Sequence, residues 1–178
     1  MAYASWSVVF GEQPSAAKWN ILGTNDSTFN TLLGTYGVRN PYCFRAYASG
    51  NTTLTDNTPV KISLATESYD YNNNFASSTY TAPVNGVYHF DGCVTHASVS
   101  SAPVGAYTAI YKNGGAVLYG GRYAGSSSIL LGISVSGDVL LAANDTVEMY
   151  HLQDSGGNEL AIADETATYF SGHLVHAV

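Results

Sequence analysis

The stretch Tyr80-Thr-Ala-Pro83-Val-Asn-Gly86-Val-Tyr88-His-Phe90 decides the fold. Beyond its Pro83-Val-Asn-Gly86 turn, Tyr88, Phe90 and Val94 project to one side of an extended chain, and His89, Asp91 and Thr95 to the other. Alternation of this kind marks a strand with one buried face. Gly86 is read as a turn residue, because an Asn-Gly pair tolerates positive φ.

The same grammar continues outward. Lys112-Asn113-Gly114-Gly115 predicts a hairpin turn, since Asn and Gly accept the φ values of a primed turn. Ile129, Leu131, Ile133 and Val135 alternate with Leu130, Gly132, Ser134 and Ser136. Strands are predicted over 43–47, 60–66, 87–95, 107–112, 117–123, 128–135, 147–152 and 168–175. Many short strands joined by polar turns predict an all-β sandwich or jelly roll. An acidic turn, Asn144-Asp145, leads into Thr146-Val147-Glu148, and Tyr169-Phe170-Ser171-Gly172-His-Leu174-Val175 closes the chain.

In that order the motifs resemble the globular head of the complement C-one-q/tumour-necrosis-factor-like superfamily. There, an aromatic followed by Ala-Pro-Val-x-Gly-x-Tyr-x-Phe opens a central strand, and Phe-Ser-Gly-x-Leu closes the domain. The resemblance spans residues 41–178, more than three quarters of the chain. Tyr80 stands where the family usually has Phe, and Tyr69 to Asn74 reads as a short insertion. The resemblance implies a jelly-roll head that forms a homotrimer, binds without catalysing, and in some relatives takes calcium.

Composition points the same way. Hydrophobic residues make up 46% of the 178, enough for a core, whereas charged residues make up only 11%. Ordinary soluble domains carry roughly 25% charge. With so little charge to protect exposed sheet edges, closure or burial in an oligomer must serve instead. The formal net charge of −7 and six scattered basic residues exclude a nucleic-acid partner. No stretch approaches the roughly 20 apolar residues that span a bilayer, so no membrane insertion is expected. Met1-Ala-Tyr-Ala-Ser-Trp6 has neither the charged nor the apolar region of a secretory leader. Cys43 and Cys93 are accordingly expected as free, mostly buried thiols.

Residues 1–40 differ from the rest. Trp6, Val8 and Phe10 alternate like a strand, and Pro14 to Leu22 can form a short helix ending at Gly23. Asp26 offers a second N-cap ahead of Phe29. Trp6, Phe10, Trp19, Ile21 and Phe29 are a heavy apolar load for helices too short to stand alone in water. Residues 10–30 are similar to N-terminal segments of tail-associated and other structural proteins of bacteriophages. The domain organisation is thus read as an N-terminal attachment segment, 1–40, and a head, 41–178.

Catalytic motifs are absent. No HExxH, phosphate loop or dinucleotide fingerprint occurs. Gly132-Ile-Ser134-Val-Ser136-Gly137 superficially resembles a nucleophile elbow, but its second Gly comes one position late. His89 and His151 lie in strand patterns and are read as surface or interface residues; His173 and His176 are read as facing opposite ways. Asp154, Glu159 and Asp164 lie in a Gly-rich loop and are weak calcium candidates, since Ca²⁺ takes about six to eight oxygen ligands. Solvated loop acids are the plainer reading, and no cofactor is expected. Among fourteen tyrosines, Tyr69 and Tyr71 stand in Tyr69-Asp70-Tyr71-Asn72-Asn73-Asn74. Tyrosine supplies rigid amphipathic contact area, and Asn can bond sugar hydroxyls, so this loop is the candidate glycan or receptor site.

The expected function is that of a non-enzymatic, homotrimeric bacteriophage virion surface protein: a head fibre, decoration protein or small tail adhesin. Its N-terminal segment would hold other virion proteins, and its head would reinforce the particle or bind a host-surface glycan. A free or cell-surface lectin of the same fold is the alternative. A polysaccharide-acting enzyme would need paired carboxylates across a groove, which the sequence does not place.

Overall fold

A computed structural model describes residues 40–96, 104–125 and 130–178. Chain contacts divide the protein into two units, Met1–Pro41 and Tyr42–Val178. The attachment residues Trp6, Phe10, Trp19, Ile21 and Phe29, with the strand and helix expected around them, lie outside the described residues, as does Ile129.

The second unit is all β. Its strands are β1 (Cys43–Tyr47), β2 (Thr52–Leu54), β3 (Val60–Lys61), β4 (Thr66–Asp70), β5 (Phe75–Ala76), β6 (Thr79–Thr81) and β7 (Gly86–His96). There follow β8 (Val104–Lys112), β9 (Gly115–Tyr119), β10 (Tyr123–Gly125), β11 (Leu131–Leu141), β12 (Thr146–Gln153), β13 (Glu159–Ala161) and β14 (Tyr169–Ala177). In the first sheet β11, β7, β14, β1 and β4 lie side by side, and β13 joins the end of β7 at His96 and carries β2. In the second, β8 and β12 are central; β9 and β10 pair with β8, while β6 and β3 pair with β12, and β5 with β6. Among the described residues every strand pair is antiparallel, so each strand can bury one face against the opposite sheet and leave the other outward.

The core lies between the sheets, and the opening motif builds its centre. Tyr80, Tyr88 and Phe90 are fully buried with Phe44 and Phe170. Phe44 stacks on Phe75 at 4.7 Å and on Tyr80 at 4.8 Å between centroids, with Phe170 edge-on at 5.1 Å. Offset and edge-to-face rings of this kind add to the burial of their area. Burial also raises the Tyr80 hydroxyl pKa, so the phenol stays neutral.

Two glycines owe their place to close packing. Gly86 opens β7 without the positive φ expected of a turn residue; a Cβ there would meet Leu174 Cδ1 at 2.5 Å and the His176 carbonyl oxygen at 2.6 Å. A Cβ on Gly172 would meet Phe90 Cδ1 at 2.5 Å and Phe44 Cε1 at 3.0 Å. The predicted hairpin at Asn113-Gly114 does have positive φ at both residues, 49° and 81°.

Where strands break, local bonds explain it. The expected strand 60–66 leaves its ladder because the Leu64 N–H donates to the Ser78 hydroxyl (2.8 Å) while Ile62 and Leu64 stay buried. The expected strand 117–123 stops at Gly120, where a Cβ would meet the Ser134 carbonyl oxygen at 2.2 Å. Strands β2, β5, β6 and β13 span only two or three residues, too few to show a period in sequence.

Candidate functional site

The Tyr69–Asn74 stretch is a crossing between sheets more than an inserted loop. Tyr69 and Asp70 end β4 on the edge of the first sheet; β5, beginning at Phe75, lies on the edge of the second. Between them Asn73 takes a left-handed φ of 57°, which Asn tolerates well. The Asp70 carboxylate turns back to accept the Phe75 N–H (2.7 Å), so it caps the turn and does not reach outward. Asn72 Nδ2 donates to Asn74 Oδ1 (2.9 Å). Tyr69 and Tyr71 stack at 5.6 Å, and Tyr71 is 71% exposed. The arrangement is a two-ring platform beside the exposed residues Asn72 and Asn73.

The calcium candidates each have their own local bonds. Asp164 accepts the Thr166 N–H (2.7 Å) and hydroxyl, and these bonds hold its carboxyl below the usual range. Glu159 accepts the Ser155 hydroxyl (3.3 Å), and Asp154 accepts the Gly105 N–H. Among the described residues no group of three or more metal-ligating side chains converges.

A constellation that sequence reasoning missed lies on the outward face of the first sheet. The β7–β11 register sets Asp91 opposite Ser136 and His89 opposite Asp138. His89 Nδ1 lies 2.6 Å from Asp138 Oδ1, and its Nε2 lies 3.2 Å from Ser136 Oγ. Those are the contacts of a Ser-His-Asp triad, formed by a serine of the elbow-like stretch. A fourth group disarms it. Ser136 donates its hydroxyl proton to Asp91 Oδ1 (2.6 Å), and Asp91 Oδ2 lies 3.3 Å from His89 Nε2. The Asp138 hydrogen bond and the Asp91 charge raise the His89 pKa.

His151 departs from the surface reading. It is fully buried in β12, with Nδ1 3.0 Å from Thr108 Oγ1 and its ring 5.3 Å from buried His96. The signal was present, because His151 is in phase with buried Val147 and Met149. His173 and His176 flank a register shift in β14, and both are exposed. Cys43 and Cys93 are half-buried, less than expected, and no disulfide joins them.

The rest of the first sheet's outward face is sparsely charged. Arg45 lies over the Tyr169 ring at 4.1 Å and donates to the Glu165 carbonyl (3.1 Å). Leu140 and Val175 on this sheet are 63% and 54% exposed, and Leu130, next to the β11 edge, is 67% exposed. Among the described residues no helix is long and apolar enough to cross a membrane.

No protein-family model and no curated protein matches this chain. Solved structures do share its fold. The globular domain of zebrafish complement 1qA protein aligns with a TM-score of 0.53 at 17% identity, over 77% of this chain and 99% of that one. The Eiger TNF of S. frugiperda aligns with a TM-score of 0.59 at 7% identity, over 77% and 94%. Murine APRIL at pH 5.0 aligns at 0.58 and 9% identity, over 75% and 98%. The chain therefore carries the complement C-one-q/tumour-necrosis-factor-like jelly roll, and at these identities the likeness is one of fold.

Proposed function

We propose that this chain is a non-enzymatic binding head that works as a homotrimer. The observation that carries the reading is the first sheet's outward face, where Leu140 and Val175 stand exposed. Exposed apolar side chains of this size, beside the one-sided edge strand β11, favour burial against a neighbour. The Ser136–His89–Asp138 group fits the same reading, as a polar network on that face instead of a catalytic site. The binding surface is the Tyr69–Tyr71 platform with Asn72 and Asn73, which suits a host-surface glycan through ring stacking and amide bonds. Placement on a bacteriophage particle rests on the sequence of residues 10–30, with residues 1–40 as the attachment device.

One experiment tests the assembly and the binding together. Sedimentation equilibrium of the wild type and of Tyr71→Ala should give three times the 18.8 kDa monomer mass for both. On a glycan array the wild type should bind at least one glycan that the variant no longer holds. A monomer mass at micromolar concentration refutes the trimer. Equal glycan binding by the two proteins removes the platform from the site, and no binding by either leaves particle reinforcement as the role.

A further inference from the structure

A second recess lies on other elements. On the outward face of the second sheet, Tyr107 of β8 stands directly opposite Leu152 of β12. Just beyond, Gly105 and Asp154 hold each other: the Asp154 N–H donates to the Gly105 carbonyl (3.0 Å), and the Gly105 N–H donates to the Asp154 carboxylate. Arg122 and Tyr123, where β10 begins, complete the lining of a cleft of about 160 Å³.

The walls of this cleft are held in place. Tyr107 is only 9% exposed; Tyr119 packs edge-on to its ring at 5.3 Å, and the Arg122 guanidinium lies 5.4 Å from its centre. Gly105 has no side chain, and a Cβ there would meet Asp154 Oδ2 at 2.8 Å, so the glycine lets the carboxylate lie over the strand. Asp154 Oδ2 and the Arg122 guanidinium have no hydrogen-bond partner among the described residues. The cleft thus offers an aromatic wall and an apolar one, with a cationic donor and an anionic acceptor.

We infer that this cleft binds one neutral pyranose ring of a glycan. The charges select the ligand class. A carboxylate ligand would meet Asp154, and an ammonium ligand would meet Arg122. A sugar hydroxyl both donates and accepts, so neighbouring hydroxyls satisfy both groups at once. The C–H face of the ring finds the apolar surface of Tyr107 and Leu152, which lie opposite each other across the strands. The size also selects, because pockets for drug-sized ligands measure about 300–1,000 Å³ and this one admits a single small ring. The inference does not depend on the Tyr69–Tyr71 platform, which stands on β4 and the turn after it.

Saturation-transfer NMR on the full chain tests it, with the methyl glycosides of glucose, galactose, mannose and N-acetylglucosamine, and with glucuronate as the charged control. At least one neutral glycoside should receive saturation on its ring protons, and glucuronate should not. Arg122→Ala, a change at an exposed side chain, should weaken that binding about tenfold or more while circular dichroism is unchanged. Gly105→Ala, which displaces Asp154, should weaken it likewise, and Tyr71→Ala should leave it intact. The inference is overturned if no neutral glycoside binds, if glucuronate binds better, or if Arg122→Ala binds like wild type. Loss of binding in Tyr71→Ala alone would assign the sugar to the platform and empty the cleft of its role.

Discussion

His151 shows how much one side chain's burial controls. Its ring sits between the sheets with Nδ1 on the Thr108 hydroxyl, and burial, reinforced by His96, pushes its pKa from 6.5 down to about 3. The unfolded chain takes up this proton near 6.5, whereas the folded chain does so only near 3. Between those values the unfolded state binds more protons. Stability is therefore complete above about pH 6.5 and falls as the pH drops, by up to about 1.4 kcal/mol per pH unit, until it nears 3. Urea unfolding at about pH 7 and about pH 4.5, at one protein concentration, should show His151→Asn losing roughly 2 kcal/mol less than wild type over that interval. The variant starts from a lower stability, so the difference between the two pH values is the quantity to read. Parallel losses in the two proteins would clear His151 of the effect.

At the scale of elements, the motifs turn out to be contacts with one another. The Lys112-Asn113-Gly114 turn and the Asn144-Asp145-Thr146 turn lock together. Lys112 Nζ and Asn113 Nδ2 both reach the Asp145 carboxylate at 2.8 Å, and Asn113 Oδ1 accepts the Thr146 N–H at 2.9 Å. Those bonds, with the Ala142 N–H, hold the Asp145 pKa at about 2. The Ala82–Asn85 stretch joins them, since the Ala82 N–H donates to the Asp145 carbonyl and Asn85 Oδ1 accepts the Ala143 N–H. The closing Phe170-Ser-Gly172 is likewise a packing device, because the rings of Phe90 and Phe44 occupy the space of a Gly172 side chain. Aromatic rings in a filled core cannot swing aside as a flexible chain end can. Gly172→Ala should cost about 1–3 kcal/mol in chemical denaturation. Gly50→Ala, with nothing within 4 Å of the new methyl group, should unfold like wild type. A neutral Gly172→Ala would mean that the core yields more readily than its stacking suggests.

For the molecule as a whole, the question is whether the head needs residues 1–40. The unit Tyr42–Val178 holds a continuous core of its own, from Phe44 to Phe170. The aromatic load upstream, Trp6, Phe10, Trp19 and Phe29, would be an exposed apolar patch if left undocked, and such patches mark interaction sites. Deletion of residues 1–34 should leave a soluble trimer with native β circular dichroism that no longer joins particles. Aggregation or unfolding of the truncated protein would assign the segment to the head and count against anchoring.

The sequence by itself determined the longer strands and the fold class, because a period of two and an Asn-Gly turn are local properties. Tyr88, Phe90 and Val94 are buried as their alternation requires, and Asn113 and Gly114 take the φ values that their types allow. The exposure of Tyr69 and Tyr71 was legible in the sequence, though the inward turn of Asp70 was not. Only the tertiary structure decided which distant residues meet. His89 reaches Ser136 and Asp138 because an eleven-residue register aligns β7 with β11, and a slip of one residue would part them. Gly105 finds Asp154, and Arg122 finds Tyr107, for the same reason. Such pairings depend on the register and on the order of strands in a sheet, and neither is written in the pattern of any one strand.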